Sequence, residues 1–212
     1  MKRIGILLLV LSALMVQTIG VSRADAQAER IAAWFDYACF DYPPDKELTL
    51  VEFYYGLLRH EMTFAYSDTG YTATAYIWIE ISEESGVPVD TLYKKIATIV
   101  KTPTEISKQN IRITDQIEVD LKPGTYIAEL TIEDAESQSD GSEMTGKVGQ
   151  RRMRISVPEF GSNEITMSGI ELAYRINLLP TDMDVAQYRD IDKSRRRVIP
   201  NPSRIFVNSD SI

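Results

Sequence analysis

One stretch of the sequence, residues 62–81, constrains the fold more than any other. Its side chains follow a period of two on both sides of the segment Ser67–Gly70. This period is typical of a β-strand with one buried face, and a Ser-Asp-Thr-Gly segment is typical of a tight turn. The stretch therefore predicts an antiparallel hairpin. In its second strand, one face is predicted to carry Tyr71, Ala73, Ala75, Ile77, Ile79 and Ile81, and the other Thr72, Thr74, Tyr76, Trp78 and Glu80.

Further short runs are rich in β-branched and aromatic residues. Turn and break signals separate them, such as Gly86–Pro88 and Lys122–Gly124. Because no helical pattern lies between these runs, they favour two packed antiparallel sheets. We therefore predict an all-β fold, an immunoglobulin-like antiparallel β-sandwich. The further predicted strands lie within residues 46–55, 91–100, 111–121, 125–132, 152–157 and, with a mixed pattern, 165–176.

The segment Gln27–Phe40 fits a helix better than a strand. The apolar side chains that recur at helical spacing are Ile31, Trp34, Phe35 and Ala38. We predict a short N-terminal helical segment over residues 27–44, followed by the β-sandwich over residues 45–160. Residues 161–212 are predicted to form a C-terminal extension or to begin a second β module.

The first 26 residues are typical of a secretory signal peptide. A basic start, Met1–Arg3, precedes an apolar run from Ile4 to Val16, and Ala24-Asp25-Ala26 provides a small-x-small cleavage site. The apolar run is shorter than the roughly 20 residues of a spanning helix, although an uncleaved anchor is an alternative. We expect an exported protein, periplasmic or extracellular, with no membrane span after cleavage.

The numbers of cysteine and histidine residues and the net charge limit the kinds of site that the chain can form. One cysteine, Cys39, excludes a disulfide within the chain, and one histidine, His60, removes most hydrolase and metalloenzyme arrangements. Without a Gly-x-Ser-x-Gly elbow, His60 is expected to be an exposed loop residue. A formal net charge of −8 argues against nonspecific nucleic-acid binding. We predict no catalytic residues, no metal and no cofactor.

Two kinds of side chain are candidates for ligand or partner contact. Trp34 and Trp78, with neighbouring tyrosines, would stack on sugar rings if they were exposed on one face. Core packing explains the same aromatic residues. A basic cluster, Arg195, Arg196 and Arg197, would bind phosphates or anionic polysaccharide, or would pair with nearby carboxylates.

The acidic segment Glu133–Glu143 could hold calcium, since this ion prefers several carboxylate oxygens near a sharp turn. An EF-hand frame that starts at Glu136 fails, because it puts Lys147 where a bidentate glutamate is required. We therefore favour a solvated hairpin loop.

Five segments resemble the N-terminal region of bacterial secreted proteins that are named for a Gly-Trp-x-Thr-Asp (GWxTD) domain. The matching segments are Asp36–Phe40, Val51–Tyr55, Leu121–Tyr126, Met167–Ala173 and Val198–Arg204. The Gly-Trp-x-Thr-Asp segment itself is absent from the sequence. The resemblance implies a secreted bacterial protein with a β architecture, and it implies no reaction.

Together these features predict a bacterial cell-envelope protein with a non-catalytic interaction or structural β-sandwich. Its expected partner is a protein of the envelope, with a polysaccharide as the alternative. A carbohydrate-binding module, or a hydrolase with two carboxylates about 5–10 Å apart in a cleft, are the remaining alternatives.

Overall fold

A computed structural model describes residues 30–41, 47–138, 146–160, 167–180, 191–193 and 196–205. The predicted signal peptide lies outside these residues. Within these residues the helical elements are one turn, α1 (Pro103–Ile106), and two 3-10 turns, Arg59–Glu61 and Ala135–Gln138. The strands are β1 (Ala33–Asp41), β2 (Thr49–Leu58), β3 (Ala65–Ser67), β4 (Gly70–Glu83), β5 (Pro88–Val100), β6 (Arg112–Leu121), β7 (Gly124–Asp134), β8 (Val148–Val157), β9 (Ala173–Leu178), β10 (Asp192–Lys193) and β11 (Arg196–Pro200).

The strands of the described residues form three antiparallel sheets. In the first sheet, β4 pairs with β5 on one side and with β3 and β7 on the other, and β8 pairs with β7. The second sheet has the order β1-β2-β6, and the third has the order β10-β11-β9. The inner faces of the first two sheets enclose the core, so the predicted all-β sandwich is confirmed. Fully buried core side chains include Val51, Phe53, Tyr55, Leu57, Ile77, Ile79, Leu130, Ile132 and Ile155.

The predicted hairpin is confirmed as β3 and β4. Ser67 pairs with Gly70 across the turn, and Gly70 has a φ of +127°. Residues that have a Cβ rarely adopt this backbone conformation. A Cβ at this position would also lie 2.5 Å from the carbonyl oxygen of Val100. The inner face of β4 is buried as predicted from Ala73 to Ile81, while Tyr76 and Trp78 lie on the outer face.

The predicted N-terminal helix is wrong over residues 33–41, which form β1. This strand pairs with β2 along its whole length, and the Phe35 ring stacks on Phe53 at 5.5 Å between centroids. Both faces of β1 are covered, because Ala33 and Phe35 face the core while Asp36 and Ala38 are buried on the outer face. In a strand that is buried on both faces, apolar and polar residues do not alternate strictly. The apolar residues of this segment match a helical period by chance.

The C-terminal residues lie against the outer face of the second sheet. The strand predicted within residues 165–176 is displaced toward the C-terminus, as β9. We call β9, β10, β11 and residues 167–172 the C-terminal layer. Its backbone approaches β1 directly, because Gly169 N donates to the carbonyl oxygen of Cys39 at 2.6 Å. A Cβ on Gly169 would lie 2.9 Å from the backbone nitrogen of Cys39, so this contact requires glycine.

Strand β5 forms the outer edge of the first sheet. Its 13 residues pair with β4, and among the described strands it has no other partner. Lys94 lies on its inner face, where its Nζ atom is 2.9 Å from the Asp115 carboxylate and donates to the carbonyl oxygen of Gln116 at 2.9 Å. This ion pair closes the side of the sandwich between β5 and β6.

Candidate functional site

Three aromatic rings lie together on the outer face of the first sheet, opposite the core. Tyr76 and Trp78 belong to β4, and Tyr93 is directly opposite Trp78 on β5. The centroid of Trp78 is 5.8 Å from that of Tyr76 and 5.5 Å from that of Tyr93, and the two tyrosine centroids are 6.1 Å apart. The side chain of Tyr93 is 53% exposed. We call these three residues the aromatic face.

Polar residues surround the aromatic face. The register of β4 with its neighbours places Lys95 beside Tyr76, Thr131 beside Trp78, and Glu80 one row further along the strand. The Nζ atom of Lys95 lies 5.8 Å from the Tyr76 centroid, which is within the range of a cation–π contact. The surface therefore combines stacked rings with hydrogen-bonding groups at their edges.

A cavity of about 830 Å³, open to solvent, lies between the outer face of the second sheet and the C-terminal layer. Trp34 of β1 and Arg112 of β6 line one side, and Tyr174 and Arg175 of β9 line the other. The Arg112 guanidinium lies over both rings, 5.0 Å from the Trp34 centroid and 4.9 Å from the Tyr174 centroid. These contacts bring one arginine and two aromatic residues to a single site.

Hydrogen bonds fix the position of Arg112. Its Nη1 atom donates to Ser203 Oγ at 3.2 Å, and the Tyr174 hydroxyl lies 2.6 Å from the same oxygen. Ser203 Oγ is in turn 2.8 Å from Asn201 Oδ1. The segment after β11 thus connects the arginine on β6 to the tyrosine on β9.

A buried charge network joins the C-terminal layer to β2. The Lys193 ammonium of β10 pairs with Glu52 and, at 2.8 Å, with Glu171. The Tyr54 hydroxyl donates to Glu52 at 2.6 Å. Neither carboxylate lines the cavity. The network instead fixes the position of β10 on β2.

Burial shifts the pKa values in this network. Burial raises the pKa of Glu171, and the hydrogen bond and charge of Lys193 only partly oppose it, so the pKa lies above the usual value. For Lys193, burial lowers the pKa, but hydrogen bonds to Glu171 and Glu52 outweigh it, so the pKa is raised. The lysine therefore remains charged at neutral pH between its two carboxylates.

Each predicted contact residue has a different place in the structure. Trp78 belongs to the aromatic face and Trp34 to the cavity, so the two tryptophans lie on different sheets. Arg197 makes two hydrogen bonds to Asp192, at 2.8 and 2.9 Å, which fit the carboxylate-pairing alternative. Arg196 is exposed at the start of β11, and Arg195 lies outside the described residues.

The contact residues predicted from the sequence do not include Tyr93, Arg112, Tyr174 or Arg175. Tyr93 alternates with Leu92 and Lys94, so a strand pattern extended over β5 would have placed it on the outer face with Lys95. No comparable signal marks Arg112, because its partners lie on strands far away in the sequence. The contacts of Arg112 with Trp34 and Tyr174 depend on how the C-terminal layer packs on the second sheet.

The remaining features considered from the sequence are His60, Cys39 and the acidic segment. His60 lies in the 3-10 turn after β2 and is partly buried, with its Nδ1 atom buried and unpaired, so the expected exposed position is wrong. Burial raises the pKa of the Cys39 thiol to about 11, so the thiol is protonated at neutral pH. Residues 139–143 of the acidic segment lie outside the described residues. Within those residues, no three acidic, histidine or cysteine side chains are close enough to share a metal ion.

Comparisons with known proteins give little further information. No family model matches the sequence, and no curated protein matches it. Among solved structures, the chain resembles a calcium-binding mutant of β-glucuronidase 2 from Bacteroides uniformis, with 12% identity and a TM-score of 0.37. The match covers 59% of this chain and 13% of that chain, and a likeness this low carries no argument. No described helix has the length and apolar character needed to cross a membrane.

Proposed function

We propose that this chain is an exported bacterial cell-envelope protein and that its sandwich is a non-catalytic interaction module. The aromatic face is its contact surface for a protein partner. One observation carries the proposal: Tyr76, Trp78 and Tyr93 are clustered on the outer face of a sheet whose inner face already supplies the core. Tyrosine and tryptophan are enriched at protein interfaces, where they bury a large area at a small entropic cost.

The geometry supports a contact surface more than a packing role. The three rings contact one another, and Tyr93 remains 53% exposed. The signal-peptide pattern and the GWxTD resemblance support the envelope location. Turnover of ester, peptide or glycoside substrates that a single carboxylate substitution abolishes would overturn the non-catalytic part of the proposal.

The test compares three forms of the exported protein. The double variant Trp78→Ala/Tyr93→Ala removes two rings from the aromatic face, while Tyr66→Ala removes a 74% exposed ring from β3 as a matched control. Each form is immobilised and exposed to an envelope extract of the source organism. We expect at least one protein that the wild type and Tyr66→Ala retain and the double variant loses.

The retained protein is then purified and its affinity is measured directly. Loss of two central aromatic contacts should weaken binding by at least about tenfold, since tryptophan and tyrosine at an interface centre are enriched among the residues that contribute more than about 1 kcal/mol each. Equal binding by all three forms, or no direct binding by the purified protein, would contradict the assigned surface. Circular dichroism confirms that the variants remain folded.

A polysaccharide is the second candidate ligand, and one observation favours it. Amphipathic rings lie on a sheet face, with Thr131 and Glu80 positioned at the edge of the cluster. Sugar rings pack their C–H faces on aromatic rings and use their hydroxyl groups in hydrogen bonds to polar neighbours. A glycan array on which Trp78→Ala/Tyr93→Ala loses a signal that Tyr66→Ala keeps would assign the aromatic face to carbohydrate.

A further inference from the structure

The cavity beneath the C-terminal layer has the dimensions of a ligand site. Its volume of about 830 Å³ lies in the range of pockets that hold small organic molecules. Leu58, Ile111 and Ile199 provide apolar walls, and Arg112 and Arg175 are the charged residues in the lining. A pocket with apolar walls and positive charge suits a molecule that has an apolar body and one anionic group.

Within the described residues, neither arginine of the lining is neutralised by a carboxylate, a property that they share with other described cations such as Lys95 and Arg151. Cations that do pair with a carboxylate include Lys94, Arg152, Arg154, Lys193, Arg197 and Arg204.

Arg112 is held in a geometry that suits anion recognition. Its guanidinium carbon lies 5.0 Å from the Trp34 centroid and 4.9 Å from the Tyr174 centroid, and Ser203 accepts a hydrogen bond from Nη1. A guanidinium has five N–H donors, so others besides the one bound to Ser203 can donate to a ligand. A carboxylate matches the guanidinium fork with two parallel hydrogen bonds. The aromatic contacts fix the side chain in advance and reduce the entropic cost of binding.

We propose that this cavity binds a small amphiphilic organic acid, whose carboxylate contacts Arg112 and Arg175 and whose apolar body packs on Leu58, Ile111 and Ile199. The site is independent of the aromatic face, because the two surfaces lie on the outer faces of different sheets. Failure of one proposal therefore leaves the other untouched.

The test uses 1-naphthoate as the probe, with two comparison molecules. 1-Naphthalenemethanol has the same ring system without the charge, and inorganic phosphate has the charge without an apolar body. Binding to the exported protein is measured by calorimetry. The sequence has two tryptophans, so a Trp78→Phe background retains only Trp34. Its fluorescence then reports occupancy of the cavity directly. We expect naphthoate to bind at least about tenfold more tightly than either comparison molecule.

Two variants and a control assign the binding to the arginines. Arg175→Gln changes an exposed side chain and should weaken naphthoate binding by about tenfold. Arg112→Lys keeps the charge but loses the planar fork, and should weaken it by at least as much. Arg151→Gln removes an exposed arginine from the other sheet and should leave binding unchanged. The proposal is wrong if the alcohol or phosphate binds as tightly as naphthoate, if Arg175→Gln binds like the wild type, or if naphthoate does not bind.

Discussion

Replacing Lys193 with methionine tests how the C-terminal layer is held. The substitution keeps an unbranched apolar side chain, one atom shorter than lysine, but leaves two carboxylates without their shared cation. Glu52 is 7% exposed and Glu171 is 12% exposed, so water reaches neither well, while Lys193 itself is 29% exposed. Removing one partner of a buried ion pair costs about 3–5 kcal/mol, and the partial exposure of Lys193 places the expected loss near about 3 kcal/mol. For a chain of this size, such a loss lowers Tm by about 6–12 °C.

Urea unfolding of the Trp78→Phe background provides the assay, because Trp34 lies beneath the C-terminal layer. Lys193→Met should shift the Trp34 transition to lower urea at about pH 7.5. Near pH 5 the deficit should narrow, because a carboxylate that has lost its cation gains a proton more easily. Lys95→Met removes an exposed lysine near Tyr76 and should cost less than about 0.5 kcal/mol. A Lys193→Met loss no larger than this control, or a deficit independent of pH, would refute the reasoning.

The same network predicts the direction of the wild-type pH dependence. The pKa of Lys193 lies above its usual value of 10.5, so its contribution to stability is complete below pH 10.5 and is lost as pH rises through the folded-state pKa. The pKa of Glu171 is also raised, so its ionisation opposes folding at neutral pH. Lowering the pH from neutral therefore reduces this cost, and the effect of Glu171 on the free energy of unfolding is stabilising in that direction.

Two further predictions follow from buried groups and backbone geometry. Cys39 is buried and its pKa is about 11, so a thiol reagent at pH 8 should label the folded protein at least about a hundredfold more slowly than the urea-unfolded chain; equal rates would contradict the burial of β1. Gly70→Ala should cost about 2 kcal/mol in urea unfolding, because it combines an unfavourable φ with a clash against Val100 O. Gly86→Ala, at φ +88° with no atom within 4 Å of the added Cβ, is the control and should cost less; a larger loss there would contradict the role of the clash.

The sequence predicted the fold best where only one face of a strand is buried. In β4 the core-facing residues from Ala73 to Ile81 alternate with polar and aromatic residues that face outward, so period two identified both faces. In β1 the outer face is covered as well, because Asp36 accepts two hydrogen bonds from Arg204 at 2.5 and 2.7 Å. A carboxylate buried by a partner 168 residues away leaves no local signal.

The candidate sites were predictable to different degrees for the same reason. Trp78 was a candidate because its strand and face were clear. Trp34 was a candidate as an aromatic residue, but its partners Arg112 and Tyr174 come from β6 and β9. The cavity exists only because the C-terminal layer packs on the second sheet, and strand patterns do not predict how separate layers dock.

The inward-facing Lys94 has a consequence for solubility. An unpaired edge strand of 13 residues presents a row of free backbone groups, which is a template for strand addition by other chains and for aggregation. A strand added beside β5 would separate Lys94 from Asp115 and from the carbonyl oxygen of Gln116. The ammonium would then have to be buried in the extended sheet or withdrawn from it. One lysine on the inner face thus makes indiscriminate edge-to-edge association along β5 unfavourable.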